Sequence, residues 1–187
     1  MPTLRSSMRA AALFAGGLCL LAVLWRLWPH APNVAPVAAL ALFAAWATGR
    51  AWMGAVLALL AMVVSDAVLG FYDFRLQAVV WGALMLPALY AKLLPRGAMR
   101  AAPWSLAAAL AGSASFYLLT NAAVWAFGTT YQPGLAGLRD SLVAGLPFVR
   151  MTVAGDLFWT VVLFGGAALT SYTRGARAAR ALEAHEN

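Results

Sequence analysis

Apolar residues run through this chain in long blocks, and polar residues collect in the short intervals between them. A membrane-crossing helix needs roughly 20 mostly apolar residues. Six blocks meet or approach that length: 9–27, 34–48, 51–70, 76–93, 101–127 and 152–172. The second is short, covering only about 23 Å at the helical rise per residue. Merging it with the third would bury Arg50 at mid-membrane, at a cost of about 2.5–3.5 kcal/mol. Two helices with Arg50 in a tight turn after Gly49 are therefore expected. The less hydrophobic stretch 138–147 reads as a segment preceding the sixth span.

Composition supports an all-α, polytopic membrane bundle. Of 187 residues, 64% are hydrophobic and only 10% are charged, with a mean hydropathy of +0.80. Soluble domains carry about 25% charged residues, so an ordinary soluble domain is excluded. So is a nucleic-acid binder with a wet basic face, despite the net charge of +7. A single domain over 1–187 is expected. The N-terminal run resembles a signal peptide, but Leu24-Trp25-Arg26-Leu27-Trp28 offers no small-residue cleavage site, so a retained first helix is expected. Cys19 is the only cysteine, which excludes an internal disulfide and Cys-rich metal sites.

The bases set an expected orientation. With the N-terminus inside, nine of the 13 bases fall on inner segments, and Arg26, Arg75, Arg139 and Arg150 fall outside. The positive-inside rule then puts both termini in the cytoplasm. On this topology the chemically specific residues gather at the outer side.

Asp66 interrupts an apolar run, where a carboxylate must be paired or face a cavity. It reads either as a ligand-site acid or as half of an ion pair locking two helices, with Arg75 or Arg150 as partner. Arg150 enters the last span and suits a ligand's carboxylate, amide or phosphate, or a pair with Asp66 or Asp156. His30 lies in Pro29-His30-Ala31-Pro32-Asn33, a stretch that prolines make stiff and non-helical. It is either a solvated loop residue or a ligand contact. Trp25 and Trp28 read as interface anchors. Small residues at Ala11 and Ala15, and at Ala12 and Gly16, allow close helix approach in the first helix. The chain lacks His-Glu-x-x-His, Gly-x-Ser-x-Gly and phosphate-loop motifs, so no enzyme activity is expected.

Four blocks together carry a resemblance. They are Arg26-Leu27-x-Pro29-His30-x-Pro32-Asn33, then Ser65-Asp66-x-x-Leu69-Gly70-Phe71-Tyr72-Asp73, then Thr120-Asn121-x-x-x-Trp125, and Leu146-Pro147-Phe148-x-Arg150-x-Thr152-x-x-Gly155-Asp156. Over residues 26–165 the chain resembles the BtuM-type family of solitary cobalamin transporters. These are related to the substrate-binding S-components of energy-coupling-factor (ECF) transporters.

The resemblance implies six transmembrane helices in the bacterial inner membrane and an outward-facing cavity for cobalamin or a related corrinoid. Positions matching the family's binding residues are His30, Asp66 and Arg150, and Trp81 is a further aromatic candidate. Asn33, Tyr72, Asn121 and Asp156 complete the expected ligand set. No protein-bound cofactor or metal is implied beyond the corrinoid's own cobalt, near which His30 would lie. The expected partners are the corrinoid, membrane lipid and, in one version, an ECF energising complex.

One departure stands out. The family's cobalt-ligating cysteine follows the Ser-Asp block, and no cysteine occurs between Asp66 and Leu93, so cysteine-dependent decyanation is not expected. Two other readings remain. One is an S-component-like module for another vitamin or metal chelate. The other is a ligand-free scaffold held by ion pairs.

Overall fold

The computed structural model describes residues 4–29 and 31–186, with side chains from Leu13 onward apart from positions 178, 179, 181 and 183–186. The described residues are all helical in their regular structure. The elements are α1 (Leu4–Leu27), α2 (Val37–Thr48), α3 (Ala51–Leu69), α4 (Phe74–Met85), a short α5 (Pro87–Tyr90), α6 (Ala98–Phe127), α7 (Leu135–Thr160) and α8 (Gly166–Glu186). Helix α5 runs on into a 3-10 turn, Ala91–Leu93, and a π-helical turn, Val161–Gly165, joins α7 to α8.

Four helical stretches are long and apolar enough to cross a membrane: Ala51–Leu69, Phe74–Leu93, Ala98–Phe127 and Leu135–Arg177. The shorter helix Val37–Thr48 is apolar too, as is Leu13–Leu27, the part of α1 whose side chains are described. Large apolar side chains such as Leu20, Leu24, Val64, Val68 and Leu118 lie exposed around the bundle. Exposed apolar surface on that scale is the mark of a lipid-facing wall.

Helix α2 is short because it is the centre of the bundle. It is apolar on every side, as a helix surrounded by others must be. Residues 37–45 are all buried. Phe43 meets Phe164 edge-on at 5.1 Å, and Trp46 lies 5.2 Å from the same ring. The π-helical turn carries Phe164 into this fully buried position. Helix α2 stops at Gly49, whose φ of 67° places it in the left-handed region, and its amide bonds back to Trp46. Arg50 is exposed just beyond, in the tight turn expected for it.

Helix α3 packs closely on α2 through Gly54. A Cβ there would overlap the Ala41 carbonyl and stand 2.8 Å from Ala45 Cβ. Gly54→Ala is therefore expected to cost about 1–3 kcal/mol, the usual toll of overpacking. A lowered thermal midpoint of the purified protein checks this.

The boundaries differ from expectation in three places. The second helix begins at Val37 rather than 34, because residues 31–36 stay non-helical, exposed at 31–33 and buried only at Pro36. The stretch 138–147 is not a separate segment. It is the first half of α7, which runs through Pro147 and packs along α6. Trp25, expected as an interface anchor, packs within the bundle. It is half-buried, stacks edge-on against Trp159 at 4.7 Å and donates its indole N–H to the Val34 carbonyl. Trp28 is exposed, as a headgroup-level anchor requires. In the first helix, the Ala11 and Ala12 side chains lie outside the described residues. A Cβ at Gly16 would meet nothing within 4 Å.

Candidate ligand-binding site

Two groups of buried polar residues lie toward the end of the bundle that carries the 28–36 and 70–73 connections. The first group centres on Asp66, which is 4% exposed. Its Oδ1 accepts from Arg26 Nη2 on α1. Its Oδ2 accepts from Gln77 Nε2 at 3.0 Å and Trp81 Nε1 at 2.8 Å, both on α4. Gln77 and Trp81 are four apart, one helical turn, and so present one face to α3. Arg26 also donates from Nε to Ser65 Oγ at 2.6 Å. Three helices are thus tied at one carboxylate. The partner of Asp66 is Arg26, not Arg75 or Arg150 as expected, because α1 packs beside α3.

The second group faces a cavity. The non-helical segment 31–36 descends beside α7, where Gly155 leaves room for it. A Cβ on Gly155 would stand 2.8 Å from Val34 Cα and 2.9 Å from the Asn33 carbonyl oxygen. Asn33 itself has φ 61°, a left-handed conformation that Asn tolerates better than most residues. Beside it lies a cavity of about 90 Å³ whose wall includes Arg26, Asn33, Val80, Phe116, Thr152 and Asp156. A second cavity of about 230 Å³ shares Asn33, Val80, Phe116 and Thr152 and adds Asn121, Tyr117 and Phe148.

Asp156 is 6% exposed. Its Oδ2 accepts from Ser113 Oγ at 2.6 Å. Oδ1 has no hydrogen-bond partner among the described residues, and no guanidinium or ammonium pairs with this carboxylate there. The N-terminus of α2 has no side-chain cap and opens on the same cavity through Val37.

The expected site residues therefore separate. Asn33, Asn121 and Asp156 line the paired cavities. Asp66 and Trp81 stand behind them in the Arg26 network. Tyr72 is half-exposed above that network, and partial burial, then the Asp66 carboxylate, push its phenol above the ordinary range, while Arg26 pulls it back. Arg150 is exposed and forms no ion pair with Asp66 or Asp156. It lines neither cavity, because α7 turns it away from the Asp156 face. His30 lies outside the described residues.

Arg26, Gln77, Ser113, Phe116 and Thr152 were not singled out from the sequence. The four-residue spacing of Gln77 and Trp81 was the available signal for one of them.

Asp73 caps α4, accepting from the amides of Arg75 and Leu76. Hydrogen bonding from the Arg75 side chain, then from the Leu76 amide, holds the Asp73 carboxyl below its ordinary 3.8. A depressed folded-state pKa gives stability that is present above the unfolded value and lost as pH falls through the folded one. Exchange protection of the Arg75 and Leu76 amides is accordingly expected to fall as pH drops below that 3.8. The variant Asp73→Asn should lose this pH dependence.

A larger cleft, about 700 Å³, lies at the opposite end between the Gly49 turn and the α5–α6 connection. Its charged lining, Lys92 and Arg96, is exposed, and it holds no buried polar side chain. That is the character of a headgroup-level surface rather than of a recognition site.

The family model described as "Family of unknown function (DUF6580)" matches residues 6–179, so the chain belongs to that family. No curated protein and no solved structure matches it.

Proposed function

We propose that this DUF6580 protein is a six-helix inner-membrane bundle of the S-component type, with both termini cytoplasmic, that captures a small organic ligand from the outer side. The observation that carries this reading is the non-helical segment 31–36, exposed at 31–33 and buried by Pro36, which borders a cavity lined by Asn33, Arg26 and Asp156. Irregular backbone at membrane depth is tolerated only where protein buries it or where it borders a cavity. Broken helices around such a cavity are how membrane transporters build substrate sites. The nine bases expected on inner segments support the orientation. The second helix, with 12 residues, falls short of a full span, and in this reading α2 spans together with the 31–36 segment above it.

The size of the site bears on the ligand. The adjoining cavities of about 90 and 230 Å³ together reach only the lower end of the range for drug-sized ligands. A small vitamin or a fragment of similar size fits that space. The motifs around His30, Asp66 and Arg150 favour a second reading, cobalamin or a related corrinoid, which requires the 28–36 loop to part from α7. In either version, transport runs alone or through an ECF energising complex.

Extraction of the purified protein for co-purified small molecules, analysed by mass spectrometry, separates these readings. Titration with cyanocobalamin supplies the second arm. A retained vitamin-sized molecule supports the first reading, and stoichiometric corrin absorbance supports the second. With neither present and no uptake phenotype on deletion, the transporter reading fails.

A further inference from the structure

We infer that the ligand of this cavity is an organic cation, with its charged nitrogen at Asp156 Oδ1 and its body against Phe116. This rests on the reading of the cavity as a ligand site and adds the ligand's chemical class. Four carboxylates have described side chains. Asp66, Asp73 and Asp140 each pair with a guanidinium: Arg26, Arg75 and Arg139. Asp156 alone among them does not, although it is one of the two most buried. Its single donor is the neutral Ser113 hydroxyl.

The charges around the cavity follow from its walls. Helix α1 contributes Arg26, which Asp66 of α3 already neutralises. Helix α7 contributes Asp156, and Thr152, whose hydroxyl is spent on the Phe148 carbonyl. Helices α4 and α6 contribute Val80, Leu84 and Phe116, and the 31–36 segment contributes the Asn33 amide. One guanidinium and two carboxylates leave a net charge of one negative. The α2 N-terminus adds about half a positive charge, which favours ionised Asp156 without cancelling it.

An inorganic divalent cation is a poor match. Calcium takes six to eight oxygens. Among the described residues no three metal-ligating side chains come together. A nitrogen cation on an apolar body suits one free carboxylate oxygen, aliphatic walls and an aromatic face.

The test uses the full chain in lipid nanodiscs, with two probes of the same shape: benzamidinium, which is charged, and benzamide, which is not. Binding is measured by calorimetry on the wild type, on Asp156→Asn and on Ser113→Ala. Asp156→Asn keeps the volume and an acceptor for Ser113, and its thermal midpoint reports that it folds. Wild type is expected to prefer benzamidinium, and Asp156→Asn to lose about 30-fold or more in affinity for it. Ser113→Ala should keep the preference for charge. Equal binding of the two probes by wild type overturns the cation assignment while leaving a ligand site in place. Unchanged benzamidinium affinity in Asp156→Asn, as when the carboxylate carries only a proton, does the same. Failure of both probes to bind overturns the assignment too. The ligand reading itself is then judged by the co-purified molecules.

Discussion

Replacing Asp66 by alanine is expected to destabilise the protein by about 3–5 kcal/mol, the cost of stranding the partner of a buried ion pair. The Asp66 side chain is 5% exposed and that of Arg26 is 19% exposed, so water does little to replace what is lost. The damage extends beyond the pair. Gln77 Nε2 and Trp81 Nε1 lose their acceptor at the same moment, and Gln77 is 2% exposed. A buried donor left unmade carries its full desolvation cost. Asp66→Asn should cost less, because an amide oxygen still accepts from α4. Arg26→Leu combined with Asp66→Leu should be closer to wild type than Asp66→Ala, since removing both charges leaves neither one orphaned. Unfolding free energies from steric trapping in bicelles check the series. A loss under 1 kcal/mol for Asp66→Ala would show that the three helices are held elsewhere.

This network bears on why Asp66 and Asp156, both carboxylates in apolar helices, differ in role. Asp66 has donors on both oxygens, from three side chains on two neighbouring helices. It acts as a lock between α1, α3 and α4. Asp156 has one donor, on Oδ2, and lines a cavity wall. The lock holds Arg26 at the cavity edge, so the electrostatics of the site depend on a residue that does not line it.

Local chemistry was readable from the chain, and long-range pairing was not. The Gly49–Arg50 turn followed from the cost of burying one arginine, and α3 followed from an apolar run that only Ser65 and Asp66 interrupt. The shortness of α2 was visible, but its reason was not, since only packing shows that α1 and α3 to α7 all contact it. The 138–147 stretch misled because Arg139, Asp140 and Pro147 lower its hydropathy. In the bundle Arg139 and Asp140 are solvent-exposed and pair with each other, which leaves the helix intact. Asp66 stood out because a lone charge in an apolar run needs an explanation. Arg26, 40 residues away, could not be chosen over Arg75 or Arg150 without knowing that α1 lies against α3. Asn33 and Asp156 were both singled out, yet their meeting at one wall depends on a glycine contact that no spacing encodes.

That contact supplies the second large effect. Gly155→Val is expected to reach or pass the upper end of the roughly 1–3 kcal/mol range for overpacking. It should also abolish ligand capture. The Cβ alone would press on Val34 Cα and the Asn33 carbonyl oxygen, both backbone atoms. No side-chain rotation relieves such a clash, so the whole 31–36 segment must lift from α7. Asn33 borders both cavities, and Trp25 holds the neighbouring Val34 carbonyl, so the lift reshapes the site and strains the Trp25–Trp159 stack together. Gly145→Ala is the internal control. The three atoms nearest its Cβ all belong to the Asn121 side chain, which can swing aside, so its effect on stability should be smaller and confined to the second cavity. Thermal midpoints and ligand retention measured on both variants decide the matter. If Gly155→Val keeps its ligand while Gly145→Ala loses it, the binding site lies against α6 and the second cavity rather than beside Asp156.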